Sequence, residues 1–447
     1  MELLTDLFRG IMGISVLLGC CYLLSNSRKD IHWGLVAKGL GLQIILAIFI
    51  LKGADMAEIW SPLGWPKIFF SWISSFFVVV LDFTTAGAEF IFGDLARSPG
   101  MEGSLGNFFA FQVLPTIIFF ASLTAILYHY GILQTLVKYM SKGMQKLLGT
   151  SGAESLSVIS NIFVGQTEGP LVVKPYIKNM TQSELLAVMT GGMATIAGGV
   201  MAAYVQMLGN SYAQAQGVAL EVGRLMFAEQ LLGASLMAAP AALIIAKILY
   251  PETQVPETNK DAKMNIERPD ANGIDAAASG AKLGLKLALN VGAMLLAFIA
   301  LLAMGNYFLF HFGEFTGING LLPESELKIE TILGWLFAPI AFLIGVPWED
   351  AINMGSLIGT KIVLNGFVAY LQLADLVGAD TLSPKTVTMA TFALCGFANF
   401  ASIAIQIGGI GGLAPSRKSD IARFGLLAVM AGTFANLMTA TIAGVLF

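Results

Sequence analysis

Long apolar runs alternate with short polar breaks along this chain, and the lengths of the runs set the first expectation. Stretches near 10–26 and 36–52 are each long enough, as helices, to cross about 30 Å of hydrocarbon. A third run, 67–93, carries Asp82 and Glu89 inside apolar sequence. It either spans or lies partly along the interface, and its periodicity does not decide between them. Residues 107–129 read as a further span. An amphipathic stretch, 130–148, follows, with Lys138, Lys142 and Lys146 on one helical face, the pattern of a solvated or headgroup-facing helix. Later spans are expected near 224–250, 284–311, 329–347 and 424–447.

Two regions break this pattern in the same way. The segment 152–178 has polar residues, glycines and Pro170 at its middle, which reads as a re-entrant hairpin. Irregular backbone at that depth is tolerated only where protein buries it or it lines a cavity. Thr181-Gln-Ser-Glu184 then forms a capping-box pattern, and the helix it opens, 182–207, is interrupted at Gly191-Gly-Met-Ala-Thr-Ile-Ala-Gly-Gly199. A second polar-tipped hairpin is expected at 350–376, centred on Leu364-Asn-Gly-Phe-Val-Ala-Tyr370. Ser383-Pro384 supplies a cap and an N1 proline for a second interrupted helix, 384–411, broken at Cys395-Gly-Phe-Ala-Asn-Phe-Ala-Ser402. Paired interrupted segments in corresponding halves point to a secondary transporter with inverted repeats and a midplane site. The chain therefore divides into four parts. Residues 1–106 hold N-terminal membrane helices and an interfacial segment, 107–250 a first repeat half, 251–281 an aqueous loop, and 282–447 a second repeat half.

Composition supports the membrane reading. Of 447 residues, 56% are hydrophobic and only 12% charged, against about 25% charged in a soluble domain. The expected class is an all-α polytopic membrane protein with about eight transmembrane helices plus two re-entrant hairpins. A net charge of −4 and the lack of a basic stripe give no sign of a nucleic-acid partner. Cys20, Cys21 and Cys395 make no disulfide framework, and His32, His129 and His311 have no metal-site spacing. Arg28, Lys29 and Lys38 flank the first loop, while the next connection offers Asp55 and Glu58. The positive-inside rule then places the first loop in the cytoplasm and the N-terminus outside. Arg417, Lys418 and Arg423 mark another cytoplasmic loop, which puts the C-terminus outside as well. The N-terminus has no basic leader region or cleavage site, so the first span is read as retained.

Candidate chemistry gathers at the interruptions. Gln166, Thr167 and Glu168 are consecutive, bracketed by Gly165, Gly169 and Pro170. They offer donors and acceptors to a neutral polar ligand with an amide-like edge; polar glue between helices is the alternative. Asn399 and Ser402, at i,i+3, face one side of their helix. Asn161 and Thr195, with the carbonyls of Val164 and Ile196, would make an all-oxygen cage suited to a hard cation. Alternatively, the two side chains satisfy local backbone. Phe397 and Val200 are packing residues or flank a stacking ligand. A membrane-embedded enzyme is disfavoured, since no nucleophile–base pair or metal cluster is seen, and a passive channel is disfavoured because a full binding cage slows release.

Four motifs in combination carry a resemblance that extends from about residue 100 to the end. They are Asn-x-x-Val-Gly-Gln-Thr-Glu-x-Pro-Leu at 161–171, Ala-Thr-Ile-Ala-Gly at 194–198, Phe-Val-Ala-Tyr at 367–370 and Gly-Phe-Ala-Asn-Phe-x-Ser at 396–402. The chain resembles the shorter bacterial concentrative nucleoside transporters. The resemblance implies scaffold and transport domains, a homotrimer, a lipid bilayer of the bacterial inner membrane, and elevator-type symport of nucleosides with Na+, or with H+ as the competing coupling ion. It implies no cofactor besides the coupling Na+. It further implies that Gln166, Thr167 and Glu168 read the nucleobase, Val200 and Phe397 pack on it, and Asn399 and Ser402 hold ribose hydroxyls. Asn161, Val164, Thr195 and Ile196 would ligate Na+, Thr195 standing where Ser is usual. Two positions depart from the pattern. Gly366 stands where a ribose-binding Glu is usual, so a sugar-modified nucleoside becomes an alternative substrate. Gly169 replaces Ala, which would let the tip backbone approach the ligand.

Overall fold

The computed structural model describes residues 2–99, 101–106, 108–259, 262–264, 270–321 and 326–447. The regular elements among them are all helical. The first part comprises α1 (Glu2–Leu23), α2 (Trp33–Leu51), the short α3 (Gly53–Ile59) and α4 (Trp65–Phe92). The ambiguous run is one unbroken helix: α4 has 28 residues, about 42 Å at 1.5 Å per residue. Its Asp82 lies 3.2 Å from the buried Arg224, so the mid-run carboxylate has a partner.

A short α5 (Phe109–Gln112) leads into α6 (Leu114–His129), then α7 (Ile132–Leu148). α7 buries Gln134, Val137, Ser141, Met144 and Leu148 and exposes all three lysines. The first hairpin follows as α8 (Gly152–Ser160), an irregular tip, and α9 (Lys174–Ile177). Its start and finish meet. Gly152 N–H donates to the Thr258 carbonyl at 2.9 Å, Asn179 Nδ2 donates to Glu257 at 3.1 Å, and Ser151 Oγ donates to Glu184 at 2.6 Å.

The expected capping box is present, Thr181 and Glu184 capping each other's backbone N–H at the start of α10 (Gln182–Ala194). After an extended break at 195–197 the chain continues as α11 (Gly198–Gln216) and then α12 (Leu220–Leu249). α13 (Gly273–Thr316) begins earlier than expected. Asn272 caps it, accepting from the Ile274 and Asp275 N–H groups, so the polar loop ends at 272 rather than 281. Part of that loop, 260–261 and 265–269, lies outside the described residues. Gly280 and Gly284 let α13 back onto Ala121 and Ile118 of α6 at backbone distance, the small-residue packing usual between membrane helices.

The expected span at 329–347 is instead α14 (Ile329–Leu343). Its 15 residues reach about 22 Å, short of the bilayer core. It packs along α15 (Ala351–Val363), where Gly334, Gly355 and Gly359 allow close contact. α15 and α16 (Gly366–Gly378) form the second hairpin. Asp350 joins its start to its finish, accepting from Ser383 Oγ at 2.6 Å. Ser383 caps α17 (Pro384–Leu394), as its sequence predicts; a break follows, then α18 (Phe400–Leu413) and α19 (Lys418–Leu446). The interval between the two N-caps Thr181 and Ala197 equals that between Ser383 and Asn399, so the interrupted helices repeat in register.

The two hairpins dip in from opposite faces. The loop after α1 meets the end of α12, Asn26 N–H donating to the Leu249 carbonyl, beside the feet of the first hairpin. The start of α1 lies at the feet of the second: Asp6 pairs with Lys385 at 2.6 Å and Arg9 donates to the Val346 carbonyl. α19 starts next to Arg417, which donates to carbonyls of Ile177, Lys178 and Met180, and ends with Val445 against Gly10. Both described ends of the chain therefore share the second hairpin's face. Eight helical stretches among the described residues are long and apolar enough to cross a bilayer.

Candidate functional site

The interrupted helices cross at their breaks. Gly396 has φ of 107°, a left-handed conformation that favours glycine. A Cβ there would come within 2.6 Å of the Ala194 carbonyl oxygen, so only glycine lets the two backbones meet. Where they meet, the tips of both hairpins close around a chamber of about 850 Å³. All seven expected substrate residues line it: Gln166, Thr167, Glu168, Val200, Phe397, Asn399 and Ser402, together with Val164. No spacing within one stretch brings them together; the hairpin tip supplies three and the second break the polar pair.

Hydrogen bonds tie these groups into one network. Asn399 caps α18, its Oδ1 accepting from the Ser402 N–H at 3.0 Å and from Ser402 Oγ at 3.2 Å. Gln166 Nε2 donates to Ser402 Oγ at 3.1 Å, which links the first hairpin to the second interrupted helix. Glu168 folds its carboxylate back over Gly165 and pairs with no group among the described residues, so it is free for a ligand. Sequence reasoning missed Gln406. It is fully buried, one turn beyond Ser402, and its Nε2 donates to Gln166 Oε1 at 3.2 Å and to the Met189 carbonyl at 2.9 Å. The recurrence of polar residues at 399, 402 and 406 was the available signal.

The four residues of the expected oxygen cage lie at the first tip and the first break. Asn161, Thr195 and Ile196 are buried, behind the chamber, and Gly198 N–H donates to the Phe163 carbonyl at 3.3 Å, pinning tip to break. Thr195 Oγ1 gives its proton to the Gly191 carbonyl at 2.9 Å; its lone pairs remain available. Asn161 does not satisfy local backbone with its side chain, for both Oδ1 and Nδ2 are buried without a partner among the described residues. A buried amide left open costs of order 1–3 kcal/mol, which a cation or water at Oδ1 would offset in part. Gly169 has a different consequence from the one its sequence suggests. The space its missing Cβ leaves is filled by the Asn161 carboxamide, not opened to the chamber.

A buried lysine lies beside the two breaks. Lys361 is buried to 2% exposure. Its Nζ donates to the Ala393 carbonyl at 2.9 Å, the Cys395 carbonyl at 3.3 Å and Asn436 Oδ1 at 2.9 Å. Those carbonyls are the C-terminal end of α17, where the helix dipole favours positive charge. Asn436 Nδ2 donates in turn to the Ala194 carbonyl at 2.8 Å, at the C-terminal end of α10. One lysine and one asparagine thus hold both breaks.

The whole chain has relatives. Residues 12–95 match the profile described as Na+ dependent nucleoside transporter N-terminus, 110–211 that described as Nucleoside recognition (Gate), and 230–444 that described as Na+ dependent nucleoside transporter C-terminus. The chain is 45% identical to an uncharacterized transporter, YutK, of Bacillus subtilis, over 97% of this chain and 98% of that one. It is 40% identical to the nucleoside permease NupC of Helicobacter pylori, over 97% and 96%. A solved structure of CNTnw in an inward-facing substrate-bound state superposes with a TM-score of 0.85 at 43% identity, covering 99% of this chain and 98% of that one. With likeness of sequence and of fold running from end to end, the protein belongs to the concentrative nucleoside transporter family, whose members are membrane carriers and not enzymes.

Proposed function

We propose that this protein imports nucleosides with Na+ across a bacterial inner membrane, by an elevator-type movement of the hairpin-bearing domain against a trimeric scaffold. The observation that carries this reading is the single chamber at which both hairpin tips and both helix breaks meet. Gln166, Thr167 and Glu168 take the polar edge of the nucleobase, Val200 and Phe397 its faces, and Asn399 and Ser402 the ribose hydroxyls. Asn161 Oδ1, the Val164 carbonyl, the Thr195 hydroxyl and the Ile196 carbonyl take Na+, and oxygen-only ligands suit that hard cation. Coupling follows from covalent proximity. Asn161 and Val164 share a tip with Gln166 and Glu168, so ordering the tip around Na+ prepares the nucleobase contacts. α13, backed onto α6 by its glycines and largely exposed elsewhere, offers the surface for two further copies. Both chain ends face outside.

Counterflow of labelled uridine, adenosine and inosine in proteoliposomes tests the reading. The expected result is exchange of at least one nucleoside that requires Na+ and stops when choline replaces it at fixed pH. Glu168→Ala is expected to insert normally and exchange nothing. Exchange that persists without Na+ and follows pH would instead assign the coupling to protons.

A further inference from the structure

The second repeat departs from the first where a coupling ion would sit. In the register set by the caps Thr181 and Ser383, Thr195 of the first break corresponds to Phe397 of the second, and Gly191 to Ala393. Asn161 and Leu364 each close the first helix of their hairpin. Both side-chain oxygens of the first cage thus have apolar counterparts in the second repeat. The backbone carbonyls persist. At the first break the Gly191 carbonyl accepts from Thr195 Oγ1 at 2.9 Å; at the second the Ala393 carbonyl accepts from Lys361 Nζ at 2.9 Å. With the Cys395 carbonyl and Asn436 Oδ1, Lys361 Nζ has three acceptors. Three is the proton count of an ammonium, and one more than a neutral amine carries. All three acceptors are uncharged oxygens, as in the cage assigned to Na+. Burying a charge on neutral partners is costly, and a neutral donor would bridge the same groups at lower cost. The ammonium also lies one carboxamide away from the first cage, since Asn436 Nδ2 donates to the Ala194 carbonyl, next to Thr195.

We propose that Lys361 is a tethered cation. In the second repeat its ammonium takes the position that the coupling ion takes in the first, so the second break is ordered without an ion and the carrier keeps one exchangeable cation site. The proposal rests on the assignment of the oxygen cage to Na+. A tethered charge moves with the hairpin that bears it and returns on the empty carrier, so over a full cycle it carries no net charge. Only the Na+ that leaves does. Truncating Lys361 would leave its three oxygens facing a void, a site for a small cation: Na+, or an alkylammonium that replaces the lost fragment.

The test is thermal unfolding of the purified protein in detergent, with choline holding the ionic strength constant and no nucleoside present. The wild type is expected to be stabilised by Na+ as by a single site and to be unmoved by propylammonium. Lys361→Ala is expected to unfold at a lower temperature and to recover in part with propylammonium, the fragment that the substitution removes. Lys361→Met, which fills the space without charge, is expected to recover nothing. In proteoliposomes the Na+ dependence of nucleoside uptake is expected to have a Hill coefficient of about 1 in the wild type, rising toward about 2 in Lys361→Ala, the number of sites being its ceiling. Lys361→Ala that gains nothing from propylammonium and keeps the wild-type Na+ dependence would overturn the proposal. So would two charges moved per nucleoside in the wild type, a measurement that stands even where neither variant folds. A wild type that Na+ does not stabilise would overturn the cage, and the tethered cation with it. Absence of nucleoside uptake beside the expected unfolding results would overturn the nucleoside reading alone.

Discussion

Gln406 decides which way the Gln166 carboxamide faces. By donating to Gln166 Oε1, it leaves Gln166 Nε2 for Ser402 and fixes which atoms the tip presents to a ligand. Gln406→Leu frees that amide to turn over, at the loss of one or two neutral hydrogen bonds. The KM for nucleoside is expected to rise about three- to tenfold, with the Na+ half-saturation unchanged, since Gln406 touches no member of the oxygen cage; uptake kinetics at varied nucleoside and varied Na+ check both. Gln166, Thr167, Glu168, Asn399 and Ser402 were legible in the sequence because polar residues beside glycines in apolar context are costly without a purpose. Gln406 was not, because a lone Gln within a helix looks the same whether it serves a site or merely bonds a neighbouring helix. The use of Gly169 as room for Asn161 depends on a contact between a helix end and a turn that no spacing encodes.

Helix breaks were the more readable features, since the caps Thr181 and Ser383 announce where each interrupted helix begins. Their joint was hidden. Lys361 in the second hairpin and Asn436 in α19 meet only in the fold, and between them they hold the C-terminal carbonyls of α17 and α10. Removing Asn436 takes one acceptor from a buried ammonium and one donor from the Ala194 carbonyl, adjacent to Thr195. Asn436→Ala is expected to lose about 2–4 kcal/mol of stability, the sum of one charged and one neutral hydrogen bond, seen as a lower unfolding temperature in detergent. Because the loosened break carries Thr195 and Ile196, the Na+ half-saturation is expected to rise while the nucleoside KM at saturating Na+ stays put. Equal loss of both affinities would show that Asn436 supports the chamber generally and not the cation side. The same blindness to tertiary context explains the two misread elements. Asp275 and Lys282 gave the start of α13 an aqueous look, although a 44-residue helix runs past the bilayer and keeps such residues near its end. The apolar 329–347 looked like a span until the glycines of α15 claimed it as a short packing partner.

At the scale of the molecule, the two hairpins give the fold its sidedness. The hairpins dip in from opposite faces, each held at its feet by its own polar clasp, Ser151 with Glu184 and Asp350 with Ser383, and their tips share one chamber. The chamber at the tips is also lined by Tyr128, Met264 and Asp270 on the first hairpin's side; in the elevator movement proposed above, shifting the unit that holds both tips turns the same site toward the other side. If one Na+ travels with each neutral nucleoside, the cycle carries one net positive charge. Crossing about 100 mV, inside negative, contributes about 2.3 kcal/mol per charge, and at about 1.4 kcal/mol per decade that is between one and two decades of accumulation. Proteoliposomes given an inside-negative K+ diffusion potential, with equal Na+ on both sides, are therefore expected to concentrate labelled nucleoside more than tenfold over unpolarised vesicles. Replacing Na+ by choline at fixed pH should remove the effect of the potential altogether. Accumulation that ignores the potential while still requiring Na+ would mean that another ion or a moving protein charge balances the cycle, and the buried ammonium of Lys361 would then be the first group to examine.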